Sequence, residues 1–282
     1  MRASLPVLLL PGAAAAAAGL WLLGSHRPPT PRVDPSPLGP AAQALQGPLA
    51  ASRNFLIPLS LLEVDRLLRE GRLEEGKRAA LRLLAFAPWL QPVWIQVGWA
   101  LAYSGWDDLP SPRARAERMA RVEAWLALAS RVLPADPDPP ATLAFLLDER
   151  MPPRSPEALA WRETQGADPA LEADQWLQEA FRRAPRLRHL LARRSAIALR
   201  LAGTAYARGD RDSCLSFLRR ALSLETRLAR QGGAPPGEWT KTLGRLRDMV
   251  ARPRPWTALE IRALDRTAPG TLFLEAAGIR PP

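Results

Sequence analysis

The chain has 282 residues, 47% of them hydrophobic and 6% aromatic, which is a globular composition long enough for one or two domains with a core. Its single cysteine, Cys214, excludes an intrachain disulfide, and with only His26 and His189 beside it there is no histidine and cysteine cluster for a transition metal, so neither a metal nor another cofactor is expected. The formal net charge of +11 is carried almost wholly by arginine, Lys77 and Lys241 being the only lysines; it favours nucleic acid, anionic headgroups or an acidic protein as partner, although the accompanying alanine and proline are the bias that a GC-rich bacterial genome produces.

No run alternates apolar and polar residues long enough to form a strand, and alanine and leucine outnumber β-branched residues, so the expected class is all-α. Residues 1–27 hold an uncharged stretch, ASLPVLLLPGAAAAAAGLWLLGS at 3–25, preceded by Arg2. As a helix rising about 1.5 Å per residue it can cross a hydrocarbon core of about 30 Å. Its alanines also suit a cleavable signal peptide, but the apolar run resumes at Leu20, Trp21, Leu22 and Leu23, which favours an uncleaved single-pass anchor with an interfacial aromatic. No cysteine closes the run, which excludes a lipoprotein anchor. Arg2 held in the cytoplasm would put the body on the extracytoplasmic, periplasmic side; Arg27 and Arg32 on the other flank oppose that orientation.

Residues 28–53 carry Pro28, Pro29, Pro31, Pro35, Pro37, Pro40 and Pro48, too many for continuous helix, and read as a stiff, extended linker reaching roughly 80 Å at about 3 Å per residue. The folded body, 54–231, opens with a helical hairpin. Leu61, Val64 and Leu68 share one face of its first helix; after Gly71, Leu73, Gly76, Ala80, Leu84 and Ala87 share a face of the second, which stops at Pro88. A hairpin this small cannot bury both faces alone, so it requires stacked neighbours.

Trp94, Val97, Gly98, Leu101 and Gly105 follow, with Gly105 lying 34 residues beyond Gly71. That spacing resembles the tetratricopeptide repeat, W-x2-L-G-x2-Y in a first helix followed by a turn glycine, with valine for leucine and leucine for tyrosine. Ala173, Leu177, Ala180 and Pro185 resemble the second-helix signature, although Trp176 stands one position before the expected aromatic; Leu201, Ala202, Tyr206, Gly209, Cys214 and Ala221 resemble a nearly whole repeat. Between these matches the spacing breaks. A helix over 113–133, started by Ser111 and Pro112, aligns Met119, Val122, Leu126, Ala129 and Leu133; a further helical pair spans 141–184, with starts at Ser155-Pro156 and Asp168-Pro169. The resemblance implies a right-handed α-solenoid of three to four degenerate hairpins. Residues 232–282, with Trp239, Leu243, Leu246 and Val250 on one helix and shorter helices at 256–266 and 271–277, show no repeat and read as a C-terminal helical cap.

Phosphate-binding, zinc-protease and nucleophile-elbow motifs are absent, so no catalytic residues are assigned and the chain is expected not to be an enzyme. Glu74-Glu75 reads as a helix N-terminal pair, Asp107-Asp108 as turn solvation and Cys214 as packing. Arg182, Arg183, Arg186, Arg188, Arg193 and Arg194, with Arg200 after them, form a run without an acidic residue, either a solvated face or an anion patch; Phe181 alone offers base stacking there, which argues against nucleic acid.

In the helix over 92–104, Ile95, Trp99 and Tyr103 form a second apolar stripe opposite Trp94, Val97, Gly98 and Leu101. It either packs on an adjacent repeat or lines a groove, with Trp99, Tyr103 and Tyr206 as partner-binding residues. The stretch lacks a lysine and asparagine array, which argues against clamping a terminal carboxylate. The function that the resemblance implies is a non-catalytic, membrane-anchored adaptor gathering the proteins of a membrane-associated complex. The alternative is a helical-repeat protein binding RNA or an anionic surface.

Overall fold

Helix begins wherever a capping side chain meets a proline that has no N–H to lose. Ser111 and Ser155 accept the amides of Ala114 at 3.1 Å and Ala158 at 3.0 Å, Asp168 accepts that of Ala170 at 3.0 Å, and a proline follows each. The resulting architecture, in a computed structural model that describes residues 33–40, 53–232, 237–252 and 255–280, is all-α, with no strand among those residues. The segment 3–25, with its membrane assignment, lies outside them. Among the described residues no helix is long and apolar enough to cross a membrane.

Helices α1 (Arg53–Arg69) and α2 (Leu73–Phe86) form the first hairpin, α3 (Gln91–Tyr103) and α4 (Pro112–Val132) the second. In the third, α5 (Asp138–Arg150) packs on α7 (Pro169–Arg183), while α6 (Pro156–Gln165) is inserted between them and leans on α4. The fourth pairs α8 (Arg188–Ala207) with α9 (Arg211–Gly232). Each hairpin packs on the next, as α2 on α3, α4 on α5 and α7 on α8, so the chain is a helical-repeat solenoid. The stretch expected as one helical pair over 141–184 therefore holds three helices. The first of them starts at Asp138, because Pro139 and Pro140 fit a first turn instead of breaking it.

Gly71, Gly105 and Gly209 take φ of +73°, +62° and +76° where three first helices turn back, a conformation that costs a side chain energy. Within the second hairpin, Trp94 is fully buried and its ring centroid lies 4.8 Å from that of Trp125. The Trp125 indole N–H donates to the Trp94 carbonyl at 2.8 Å, and the Trp94 indole donates to the Pro88 carbonyl at 3.2 Å, so both buried donors are satisfied. A β-carbon on Gly98 would meet the Leu126 side chain at 3.0 Å. The glycine thus admits α4 close to α3.

Part of the linker is seated on the body. The Asp34 amide donates to the Val132 carbonyl at 2.8 Å, satisfying an end of α4, and Val33 and Leu38 pack on the core beside a short 3-10 turn at Ser36–Leu38. A spacer extending freely over all of 28–53 is therefore corrected: residues 33–40 belong to the folded unit.

The C-terminal helices α10 (Glu238–Ala251), α11 (Ala258–Asp265) and α12 (Ala268–Ala277) close the array. α12 lies on α8, α10 on α9, and Leu243, Leu246, Val250 and Phe273 are buried. At Gly203 on α8 a β-carbon would stand 2.6 Å from the Phe273 carbonyl and 2.8 Å from Ala276, so the two helix backbones meet there without a side chain between them.

Two substitutions test these joints. Gly98→Leu should cost about 1–3 kcal/mol by overpacking Leu126 and lower the melting temperature. Gly203→Ala meets backbone that cannot swing aside; limited proteolysis should cut its C-terminal helices faster while the first two hairpins keep their protection. Equal protease resistance at both ends would show that α12 does not depend on this contact.

Candidate functional site

The first helices of successive hairpins, α3, α5 and α8, bring their outward stripes together. Trp99 remains 36% exposed and stacks on Tyr103, with centroids 5.1 Å apart at 19°, and tilts on Phe145 of α5 at 5.3 Å. Trp99 and Tyr103 sit four residues apart, one turn along α3, on the side away from Trp94 and Gly98, which face α4. Phe145 lies in turn under the Arg193 guanidinium of α8, 4.0 Å from its centroid. Arg150, in the last turn of α5, lies 3.7 Å over the Tyr103 ring and 5.2 Å from that of Trp106. The result is an aromatic ledge edged by arginine.

Burial, with the neighbouring Glu149 as acceptor, pushes the Tyr103 phenol up to about 12, so it stays a hydrogen-bond donor at any physiological pH. Beyond Phe145, Asp148 is bound by Arg193 at 3.3 Å and by Arg200. A cleft of about 320 Å³ then runs to α12, lined by Asp148, Glu149, Pro152, Arg200, Leu272 and Glu275.

Tyr206 does not join this face. Its ring stacks on Trp256 at 4.8 Å and lies 5.8 Å from Phe273, so the cap covers it. Cys214 is fully buried, and burial pushes its thiol up to about 12, which leaves it a packing residue. Trp94, Gly98, Ala173, Leu177 and Ala221 are buried between helices, Gly105 and Gly209 make turns, and Pro185 follows the end of α7. Glu74 and Glu75 occupy the first turn of α2 and pair with Arg121 at 3.6 Å and with Arg72.

The arginine run is not one patch. Arg183 donates to the Leu133 and Asp136 carbonyls at 3.0 and 2.9 Å and to the Ser130 hydroxyl at 2.7 Å, and it pairs with Glu179; Arg182 also pairs with Glu179. Arg194 binds the buried Asp174 at 3.4 Å, together with Arg220, while Arg193 binds Asp148. Only Arg186 and Arg188 of the six stand exposed without an ion pair among the described residues. The local stretch has no acidic residue, yet Glu179 one turn earlier on α7, with Asp148 and Asp174 across helix contacts, supplies the partners.

Sequence reasoning missed Phe145, Trp106, Asp148 and Arg150. The signal that finds them is the division of 138–183 into separate helices, which makes α5 a first helix equivalent to α3. It also missed a pair of carboxylates between α4 and α7. The Trp161 indole donates to Glu172 at 2.8 Å, and that of Trp176 to Glu123 at 3.4 Å. Burial, then the charge of Glu123 and that of Asp168, raises Glu172 to about 7; burial also raises Glu123.

The fold defines the chain as an all-α helical-repeat protein, and the ledge is the surface it presents across three repeats. In comparisons with known proteins, no family model matches the chain and no curated protein matches it.

The raised value at Glu172 sets a pH dependence. An acid whose folded value lies above its unfolded one adds stability that is complete below the ordinary glutamate range and is lost as pH rises through about 7. Glu172→Gln keeps an oxygen to accept from Trp161 and removes the charge. The variant should therefore melt higher than the parent at pH 8 and close to it at pH 5, in thermal scans at both values.

Proposed function

We propose that the chain is a non-catalytic adaptor of tetratricopeptide type, held at a membrane by residues 3–25, that gathers the proteins of a membrane-associated complex on the α3, α5 and α8 face. The observation that carries this reading is the half-open Trp99, stacked on Tyr103 and tilted on Phe145 where first helices of adjacent repeats meet. Rigid aromatics with an open face are typical anchors of protein interfaces, because they bury large area at small conformational cost. The rival packing role explains the Tyr103 and Phe145 contacts. It does not explain why a tryptophan should keep 36% of its surface open.

RNA or an anionic surface is the weaker reading. Such partners need several free cations converging on one face, and Arg183, Arg193 and Arg194 are taken up by carboxylates and carbonyls. The tetratricopeptide assignment rests on the spacing of Trp94, Gly98 and Gly105 and on their burial and turn geometry.

Two measurements test the reading. Trp99→Ala and Tyr103→Ala, expressed at native level and crosslinked in intact cells, should recover less of the co-purifying partners. Trp99→Ala should do so with a nearly unchanged melting temperature; a large fall in melting temperature with undiminished recovery would leave the stripe to packing alone. The full-length chain should also stay in the membrane fraction after alkaline carbonate washing and retain Met1 or Arg2, whereas a soluble chain beginning near Gly19 would identify a secreted protein.

A further inference from the structure

Arg150 is placed unlike any other partly buried arginine. Among the described residues, each of the others reaches a carboxylate or a carbonyl: Arg115 binds Glu157 at 2.7 Å, Arg162 binds Asp168 at 2.7 Å, Arg194 and Arg220 share Asp174, and Arg118 donates to the Ser104 carbonyl at 2.6 Å. Arg150 has neither. Its guanidinium rests on the rings of Tyr103 and Trp106, its Nε is buried without a hydrogen bond, and its polar neighbour is the Tyr103 hydroxyl, which also turns to Glu149. Glu149 spends its carboxylate on that hydroxyl and forms no ion pair with Arg150; a half-buried cation without an ion pair is costly, and ring faces compensate only part of that cost, since they leave N–H donors unfilled.

Resting on the adaptor reading above, we propose that Arg150 receives the carboxylate of an aspartate or glutamate side chain in a bound peptide segment, while an apolar residue one to three positions away lies on Trp99. The chemistry favours this occupant over others. Ring faces take up none of the guanidinium's N–H donors, and a carboxylate can accept two of them side by side. A phosphate or a nucleic-acid backbone would call for a second free cation, but Arg193 and Arg200, the arginines that α8 brings to this face, are held by Asp148. The apolar half of the site is Trp99 with Phe145 beside it, continuous with the ring under Arg150. The cation comes from α5, one repeat beyond α3, where no lysine and asparagine array exists.

The test uses the full-length chain in detergent and a displayed pool of random peptides, followed by synthetic fluorescent peptides of the enriched sequence. Enriched peptides should carry aspartate or glutamate next to an apolar residue. Arg150→Gln should weaken their binding at least about tenfold, the worth of one charge-assisted contact. Replacing the peptide's glutamate by glutamine should cost a similar factor, and the two changes together should cost no more than one alone. Should Arg150→Gln fail to fold, Arg150→Lys together with the peptide's glutamate-to-glutamine change reads the same contact. Binding that needs Trp99 but ignores both Arg150→Gln and the peptide's carboxylate overturns the proposal and leaves the adaptor reading standing. Enriched peptides that bind equally well to Trp99→Ala overturn both.

Discussion

The arrangement turns on one helix. α8 is buried on several sides at once: Leu190, Leu191, Ile197 and Leu201 belong to the core of the first three hairpins, and Ala198, Leu199, Ala202 and Ala205 to the core shared with the cap. It also carries Arg193, Arg194 and Arg200 into that setting. A buried cation must be paired, and removing one partner of such a pair leaves a charge whose desolvation is uncompensated. α5 and α7 therefore each supply a nearly inaccessible aspartate held between two arginines, Asp148 with Arg193 and Arg200, Asp174 with Arg194 and Arg220. Apolar packing alone tolerates small slides of one helix along another. A slide of α8 would pull Arg193 and Arg200 from Asp148 and Arg194 from Asp174 at once, so the pairs select a register even where their net contribution to stability is small.

What α8 does for the third hairpin, tryptophan and glycine do for the second. Gly98 brings Leu126 against the backbone of α3, and the Trp94 and Trp125 rings fill the space beside it while each indole N–H finds a carbonyl. With that face committed to α4, helix geometry decides the rest: residues one position on, Ile95, Trp99 and Tyr103, are turned toward the next first helix. Trp99 consequently meets Phe145, and Phe145 meets Arg193 of α8. The ledge is thus a by-product of hairpin packing on one side and of the arginine pairs on the other, and it cannot reorient without disturbing both.

The parts legible in the sequence were those governed by local rules. Turn glycines, proline-led helix starts and the buried stripes of α1 to α4 depend on a few neighbouring residues, and the sequence displays them. The third hairpin was blurred because Pro139 and Pro140, which look like breakers, sit where a helix tolerates them. Charge was misjudged for a different reason. The arginines of α8 find carboxylates 45 and 52 positions away on α5, beyond the reach of any local count of acids and bases. Tyr206 looked like a groove residue in its own repeat, but the α12 helix that covers it carries no repeat spacing and so gave no sign of where it would dock.

Two arginines on the ledge lie on aromatic rings, and their contrast shows how the site divides structure from exposed chemistry. Arg193 projects from α8 onto Asp148, in the same last turn of α5 that carries Arg150, so its charge is spent on holding two hairpins together. Arg150 sits in the last turn of α5, where the carbonyl ends of the helix carry partial negative charge. That field, with the faces of Tyr103 and Trp106, lets a cation persist partly desolvated without a carboxylate. A carboxylate supplied by the chain itself would have made Arg150 another Arg193, a joint between repeats. Glu149 turns to the Tyr103 hydroxyl instead of forming an ion pair with Arg150, which leaves guanidinium donors beside an open tryptophan, in a place where water is already partly excluded.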